Sequence, residues 1–232
     1  MRIEIWSDIV CPWCYIGKRR FETALARFPH RDRVELVWRS FLLDPHAPHM
    51  HDLTSIENLS RKYGVTEARA REMTDHVTRV AAQEGLTYRL EQARPASTID
   101  AHRLLHLAST RGLQHTLKER LMRAYFTEGA HIADHATLTR LATEAGLGEQ
   151  SVRDVLATNA YATDVQADLD RARQLGITGV PYFVIDARYG VSGAQSAETL
   201  LGVLNEAWAK THAPLVTVGA DGDRCEDDSC AI

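Results

Sequence analysis

Two cysteines two residues apart, Cys11 and Cys14, stand in the stretch Ser7-Asp8-Ile9-Val10-Cys11-Pro12-Trp13-Cys14-Tyr15-Ile16-Gly17. Thiols at this spacing can form a reversible disulfide or supply half of a tetrahedral zinc site. Their position favours the first chemistry. An alternating run, Arg2 to Trp6, precedes them, and Phe21, Leu25 and Phe28 recur at helical spacing afterwards. The pair therefore sits where a strand turns into a helix. The first amides of a helix lack internal partners, and with the helix dipole they favour a negative charge at its N-terminus. A Cys11 thiolate is such a charge. Thiols so placed titrate below the ~8.5 of a free cysteine, to roughly 3.5–7 in Cys-X-X-Cys motifs. Cys11 is thus expected to be ionised at neutral pH and ready to attack a disulfide. Pro12 suits the first helical turn because it has no N–H to lose. A zinc site wants a second ligand pair, and the other two cysteines, Cys225 and Cys230, lie in the last eight residues. Four sulfurs would meet only if that tail folded back. A structural disulfide is disfavoured in a chain with no secretory signal. Redox use, with no metal, is the favoured reading.

The elements that position these thiols follow from periodicity. Val34 to Trp38 reads as a second strand, and a right-handed crossover makes it the parallel neighbour of the first. Pro45, Pro48 and three histidines (His46, His49, His51) then mark a loop. Three histidines in six residues suggest a metal, but no acidic or sulfur partner lies at helical spacing, so a solvated loop is favoured. From Ser55 to about Gly176 helical periods dominate. Ser55 is expected to cap the first helix, Thr66 opens a second, and Ser97-Thr98-Ile99-Asp100 looks like a capping-box variant. Gly64, Gly85, Gly112, Gly129, Gly146 and Gly176 read as stops. The strand pattern returns at Tyr182–Ile185 and Tyr189–Ser192, a spacing that predicts an antiparallel hairpin. Ser196 caps a last helix. Before the hairpin stands Gly176-Ile177-Thr178-Gly179-Val180-Pro181, where a cis Val180–Pro181 bond is accessible.

Bulk properties set limits. With 232 residues, 44% of them apolar, the chain can bury one large core or one core with an insertion. A net charge of −4 offers no basic patch for nucleic acid and no polybasic membrane anchor. There is no apolar run of ~18 residues to span a bilayer. Met1-Arg2 leads directly into a strand without a signal-peptide pattern, so a cytoplasmic location is expected.

Taken together, the order strand, Cys-X-X-Cys, helix, strand, helical segment, Gly-Val-Pro, hairpin and helix resembles the DsbA-like thioredoxin superfamily. It is more closely similar to the cytoplasmic FrnE-type subgroup. The matching stretches are Ser7 to Lys18, Ala101-His102-Arg103-Leu104, Thr178-Gly179-Val180-Pro181-Tyr182-Phe183 and Val191-Ser192-Gly193-Ala194-Gln195. The resemblance implies an α/β, thioredoxin-like fold with a large inserted all-helical domain. Residues 1–50 and 177–212 would form the thioredoxin-like part, 51–176 the insertion, and 213–232 a flexible tail. It also implies roles. Cys11 would be the solvent-facing nucleophile and Cys14 the buried resolving thiol. Pro12 and Trp13 would tune the potential. Val180 and Pro181 would form a cis-proline loop whose Val180 backbone pairs with an extended substrate.

The implied activity is thiol–disulfide exchange through a mixed disulfide, as oxidoreductase or isomerase. Protein or small thiol and disulfide compounds would be the substrates, with no organic cofactor, glutathione as a redox partner, and a homodimer as one compatible assembly. Glutathione-dependent kappa-class transferases and 2-hydroxychromene-2-carboxylate isomerases share the architecture, but they usually carry serine at the position of Cys11. The intact Cys-Pro-Trp-Cys argues against that alternative. A metal-binding or redox-sensing module built on four cysteines is the alternative from another class.

Some residues depart from the family pattern or stand outside it. Thioredoxins bury an acid six residues before the first cysteine, where this chain has Ile5. Asp8 is expected at the turn, and no general base is assigned. His102 and His106, one helical turn apart, are expected as helix-surface and domain-interface polar residues, and Arg103 as an interdomain anchor. The tail carries Cys225-Glu226-Asp227-Asp228-Ser229-Cys230. Its acids disfavour a nearby thiolate, so electrons are expected to pass from Cys225 and Cys230 to a Cys11–Cys14 disulfide.

Overall fold

The first forty residues lay down two strands with a helix between them. The computed structural model describes residues 1–49 and 53–212. Strand β1 (Arg2–Ser7) leads to helix α1 (Pro12–Arg27), a 3₁₀ turn, and strand β2 (Glu35–Ser40), which lies parallel to β1 with Ile5 opposite Trp38. The late strands β3 (Tyr182–Ile185) and β4 (Tyr189–Ser192) form the hairpin expected from their spacing. β3 runs antiparallel to β1, and the sheet order is β2-β1-β3-β4.

Both faces of this sheet are covered, which explains the apolar residues on both sides of β1. Ile3 and Ile5 point into a core with Phe21 and Phe28 of α1, Phe183 and Ile185 of β3, and Leu200 and Leu204 of α9 (Ala197–Thr211). Trp6 points the other way, against Ala172, Ile177 and Val184. This is the period-two alternation of a strand buried on two sides.

Between β2 and β3 the chain forms helices α2 (Ser55–Tyr63), α3 (Glu67–Gln83), α4 (Ile99–Ser109), α5 (Gln114–Phe126), α6 (His135–Glu144), α7 (Glu149–Ala157) and α8 (Ala162–Gln174). The fold is thus thioredoxin-like with a helical insertion. The first and last glycine stops, Gly64 (φ 63°) and Gly176 (φ 70°), adopt the left-handed conformation that a side chain would strain. Two of the expected caps differ in detail. Thr54, not Ser55, caps α2: its hydroxyl accepts the Glu57 amide at 3.2 Å and Glu57 accepts the Thr54 amide at 2.8 Å. Ser55 instead donates to the Ala93 carbonyl at 2.8 Å. At α4 Thr98 makes no side-chain cap, and Asp100 is drawn away to Arg103 and His135.

The insertion is fastened to the sheet by polar side chains as well as by apolar packing. The Gln114 amide group donates to the Trp38 carbonyl and accepts the Trp38 N–H, both at 2.9 Å. Asp168 of α8 accepts the Ser40 amide at 2.8 Å and pairs with Arg39 at 3.0 Å and His106 at 3.1 Å. Burial opposes charge on Asp168, but His106, the Ser40 amide and Arg39 outweigh it and hold the carboxyl below its ordinary range. His106 is thus at the interface, as expected. Arg103 is not an interdomain anchor. Its guanidinium donates to the Ala160 carbonyl at 2.8 Å and to the Val155 and Thr158 carbonyls, all within the helical insertion. Among the described residues, no helix is long and apolar enough to cross a membrane.

Candidate active site

β1 ends at Ser7, and the chain turns through Asp8, Ile9 and Val10 before α1 begins. The turn is closed by a hydrogen bond from the Cys11 amide to the Asp8 carbonyl at 3.4 Å. Cys11 is the N-cap of α1, with extended backbone (φ −89°, ψ 111°), and Pro12 occupies the first helical position. Cys11 therefore stands on the helix threshold where unpaired amides and the dipole favour an anion. Its thiol donates to the Val180 carbonyl at 3.6 Å, and the Val180–Pro181 bond is cis. Gly17 lets this loop come close: a Cβ there would lie 2.9 Å from Pro181 Cγ. The Tyr88 hydroxyl holds the opposite side by donating to the Pro12 carbonyl at 2.7 Å.

In front of Cys11 opens a cavity of about 880 Å³. Cys11, Pro12, Trp13 and Val180 form one wall, Leu43 and Asp44 another, and Leu59, Tyr63, Met73 and His76 of α2 and α3 face them. Tyr125 and Phe126 also line it, and Cys14 does not. Both cysteines are buried, but the sulfur that meets the cavity belongs to Cys11. Trp13, 38% exposed, forms part of the rim. Ile9, Cys11, Cys14, Tyr15 and Ile16 share one continuous apolar core with Leu104, Leu121, Met122 and Phe126 of the insertion.

Behind the pair lies a group of buried charges that the sequence reading did not assemble. Asp8 is at the turn, as expected, but it is buried. Its Oδ1 accepts the Ile9 amide at 2.7 Å and faces His102 Nε2 at 3.3 Å, and its Oδ2 accepts the Leu43 amide at 2.8 Å. His102 is therefore an interior partner and not a helix-surface residue. Burial opposes charge on Asp8, but the His102 hydrogen bond and charge, the Leu43 amide and Lys118 hold its carboxyl below the ordinary range. Burial keeps His102 below its own ordinary value despite the carboxylate, so the pair is carboxylate and neutral imidazole.

Lys118 of α5 is fully buried. Its ammonium donates to the Ser7 carbonyl at 3.3 Å and lies over the Trp38 ring, 5.6 Å from the centroid. Among the described residues no carboxylate lies within ion-pair distance of it. Burial pushes it down to about 8, although Cys14, Asp8 and Cys11 attract the charge. The Ser7 hydroxyl is also buried, beside the Cys14 sulfur.

The two thiols titrate as one unit. Burial penalises a thiolate at Cys14, but the hydrogen bond from Cys11, the Lys118 charge and the Ser7 hydroxyl outweigh it and bring Cys14 below its ordinary value. Cys11 is pushed well above its own by its hydrogen bond to Cys14 and by burial. The first proton of the pair thus leaves easily and the second with difficulty. Lysine draws the first negative charge toward Cys14, whereas helix position alone places it on Cys11. The expectation that Cys11 is the ionised thiol of the reduced pair therefore does not hold: the neighbouring Cys14 and burial keep its proton on. Lys118 was not singled out from the sequence; it falls on the buried face of α5, four residues after Gln114 and four before Met122. A lysine on a buried face was the available signal.

Cys225, Cys230 and His51 lie outside the described residues.

A family model described as the DSBA-like thioredoxin domain matches residues 2–205. The crystal structure of a probable DsbA oxidoreductase, SCO1869 from Streptomyces coelicolor, is 47% identical and covers 100% of this chain and 99% of its own, with a TM-score of 0.88. The uncharacterised protein YwbO of Bacillus subtilis (strain 168) is 30% identical over 198 residues, which is 80% of this chain and 86% of YwbO. The cytosolic disulfide reductase DsbM of Pseudomonas aeruginosa, 18% identical with a TM-score of 0.59 over 91% of this chain and 97% of its own, shares the fold.

Proposed function

The chain belongs to the DsbA-like thioredoxin domain family, and from that premise we propose that it is a cytoplasmic, FrnE-type thiol–disulfide oxidoreductase or isomerase whose working groups are Cys11 and Cys14. The observation that carries this reading is the unequal placement of two buried thiols: Cys11 lines the cavity with its thiol on the Val180 carbonyl, and Cys14 does not line it. A disulfide R–S–S–R′ enters the cavity, Cys11 passes its thiol proton to the Cys14 thiolate, and the Cys11 sulfur attacks the substrate. The Cys11–S bond forms, the S–S bond breaks, and R′S⁻ leaves and takes up that proton from Cys14. The Cys14 sulfur then attacks Cys11, forming the Cys11–Cys14 disulfide and releasing RS⁻. Two electrons pass from the pair to the substrate, and the reverse sequence oxidises two substrate thiols. Lys118 stabilises the charge on Cys14 as it becomes the second nucleophile. No metal or organic cofactor takes part, and glutathione is a small redox partner able to recycle the pair. In the same reading Cys225 and Cys230 pass electrons to the main disulfide. Replacing both by serine then shifts the potential measured against glutathione.

The test of the main reading is a trapping experiment. In Cys14→Ser, oxidised glutathione should leave one stable glutathione adduct on Cys11, visible by peptide mass spectrometry. In the wild type the adduct should resolve to the Cys11–Cys14 disulfide. In Cys11→Ser, turnover should fall by about three orders of magnitude or more. An adduct on a different cysteine in Cys14→Ser, or turnover that survives Cys11→Ser, overturns the assignment.

A further inference from the structure

Read from its neighbours in the chain, His49 belongs to a solvated loop without metal partners. The fold supplies two. The Pro48 carbonyl accepts the Ser97 amide at 3.0 Å, which ties the loop after β2 to the entrance of α4. His49 is thereby set beside Asp100 in the first turn of that helix. Asp134 caps α6 by accepting the Thr137 amide at 2.7 Å, so His135 becomes the first helical residue. Its Nε2 lies 2.8 Å from Asp100 Oδ2. The His49 and His135 rings are 5.6 Å apart between centroids and tilted by 60°, so they converge without stacking. One ligand atom from each of His49, Asp100 and His135 lies within 4.8 Å of the other two.

The carboxylate is held from behind. Asp100 Oδ1 accepts a hydrogen bond from Arg103 Nη1 at 2.7 Å, and Arg103 is itself fixed by the carbonyls of Ala160, Val155 and Thr158. This leaves Oδ2 directed at the histidines. Outer-shell partners of this kind orient ligands in metal sites. The two histidines are exposed, so an ion can reach them.

We propose that His49, Asp100 and His135 form a binding site for a divalent transition cation of the zinc class, with a fourth position left to water. Two imidazole nitrogens and one carboxylate oxygen with an open position are a zinc ligand set, with bonds of about 2.0–2.2 Å. The ion takes the place of the hydrogen bond between His135 and Asp100. It joins three segments far apart in the chain: the loop after β2, α4 and α6. That loop also carries Leu43, Asp44 and Ala47, which line the cavity in front of Cys11. Metal binding therefore fastens one cavity wall to the helical insertion.

Thiols would compete for zinc, so the test uses the full-length chain with all four cysteines replaced by serine (C11S/C14S/C225S/C230S). Calorimetric titration with Zn²⁺ should show one ion per chain with micromolar affinity, and Co²⁺ should give visible d–d absorption at the same stoichiometry. His49→Ala and His135→Ala should each weaken binding by at least about tenfold. His46→Ala, in the same loop, should leave it unchanged. Absence of stoichiometric binding overturns the proposal. So does binding that withstands either His49→Ala or His135→Ala, or that is lost with His46→Ala.

Discussion

The sulfurs of Cys11 and Cys14, the proposed redox pair, face unlike surroundings. In front of Cys11 lies an open cavity whose apolar lining is interspersed with exposed charges such as Asp44, Lys62, Arg69 and Glu72, and the Cys11 thiol itself donates to the uncharged Val180 carbonyl. Behind Cys14 the charged groups are interior: Asp8, His102 and Lys118 are packed there with almost no exposure. The thioredoxin-like part contributes the thiols, the proline loop and Asp8. The insertion contributes the facing cavity wall, His102 and Lys118. Geometry of exchange thus comes from one part of the chain and much of its electrostatics from the other. A helical insertion in such a fold is part of the reactive centre and not only a lid or spacer.

Four substitutions break or sharpen this contrast, in decreasing order of expected effect. Asp8→Ala should cost about 3–5 kcal/mol in denaturant unfolding, because it leaves the Ile9 and Leu43 amides and His102 without their buried acceptor. Asp8 has a depressed folded pKa, so its contribution is full above the ordinary carboxylate range and is lost as pH falls through the folded value. The wild type should therefore lose stability on acidification that Asp8→Ala does not. Equal stability of the two at neutral pH would remove Asp8 from the account of the rear side.

Gly17→Ala acts on the front. The added methyl meets Pro181, and overpacking of this kind costs about 1–3 kcal/mol. Substrate KM should rise more than kcat falls, because the proline loop moves away from Cys11. A kcat loss at unchanged KM would show that the loop does not help to seat substrate.

Lys118→Met should raise the first thiol ionisation of the pair, read by ultraviolet thiolate absorbance, and slow attack on a disulfide at pH values below it. It should also move the reduction potential downward, because the lysine stabilises the reduced, charged form. A second readout separates charge from packing in the disulfide form. In that form neither cysteine carries a charge, and burial holds Lys118 below its ordinary 10.5, so the unfolded chain keeps the proton more firmly between the folded value and 10.5. Stability contributed by this group then rises with pH across that window, and Lys118→Met should lack that rise. An unchanged thiolate titration in this variant would sever the rear side from the chemistry.

Trp13→Ala is the smallest change. The ring is part of the exposed rim, so stability should stay within about 0.5 kcal/mol. KM for bulky disulfides should change a few-fold, and an equal change for very small disulfides would mean that the ring acts on Cys11 itself.

Much of the scaffold was legible because its signals are local. Alternation marked β1 and the hairpin, glycines marked the ends of the helices, and the resemblance to the DsbA-like superfamily implied which backbone would meet the Cys11 sulfur. The front of the site could be read on these grounds. The rear could not. Asp8 does stand at a turn, but whether that turn faces water depends on α4 and α5, about a hundred residues later. His102 and Lys118 carry ordinary helix-surface residue types, and only tertiary packing makes them interior. Arg103 was expected to bridge the two parts of the chain because a long cation on a helix reads that way. The open carbonyls around Ala160 took it first. The bridging role went to Asp168, which no local pattern distinguished.

The side chains that fasten β2 to the insertion have a further consequence. A sheet has two rims, and bare peptide groups on a rim can recruit a strand from another molecule. On β2 the outward N–H and carbonyl of Trp38 are taken by Gln114, and the outward N–H of Ser40 by Asp168. A foreign strand would have to displace an amide and a carboxylate, both already hydrogen-bonded, to dock there. Growth of the sheet by edge-to-edge addition is thus obstructed on this side, and β4, only four residues long, forms the other rim. The contacts that locate the helices also guard the protein against polymerising through its own sheet.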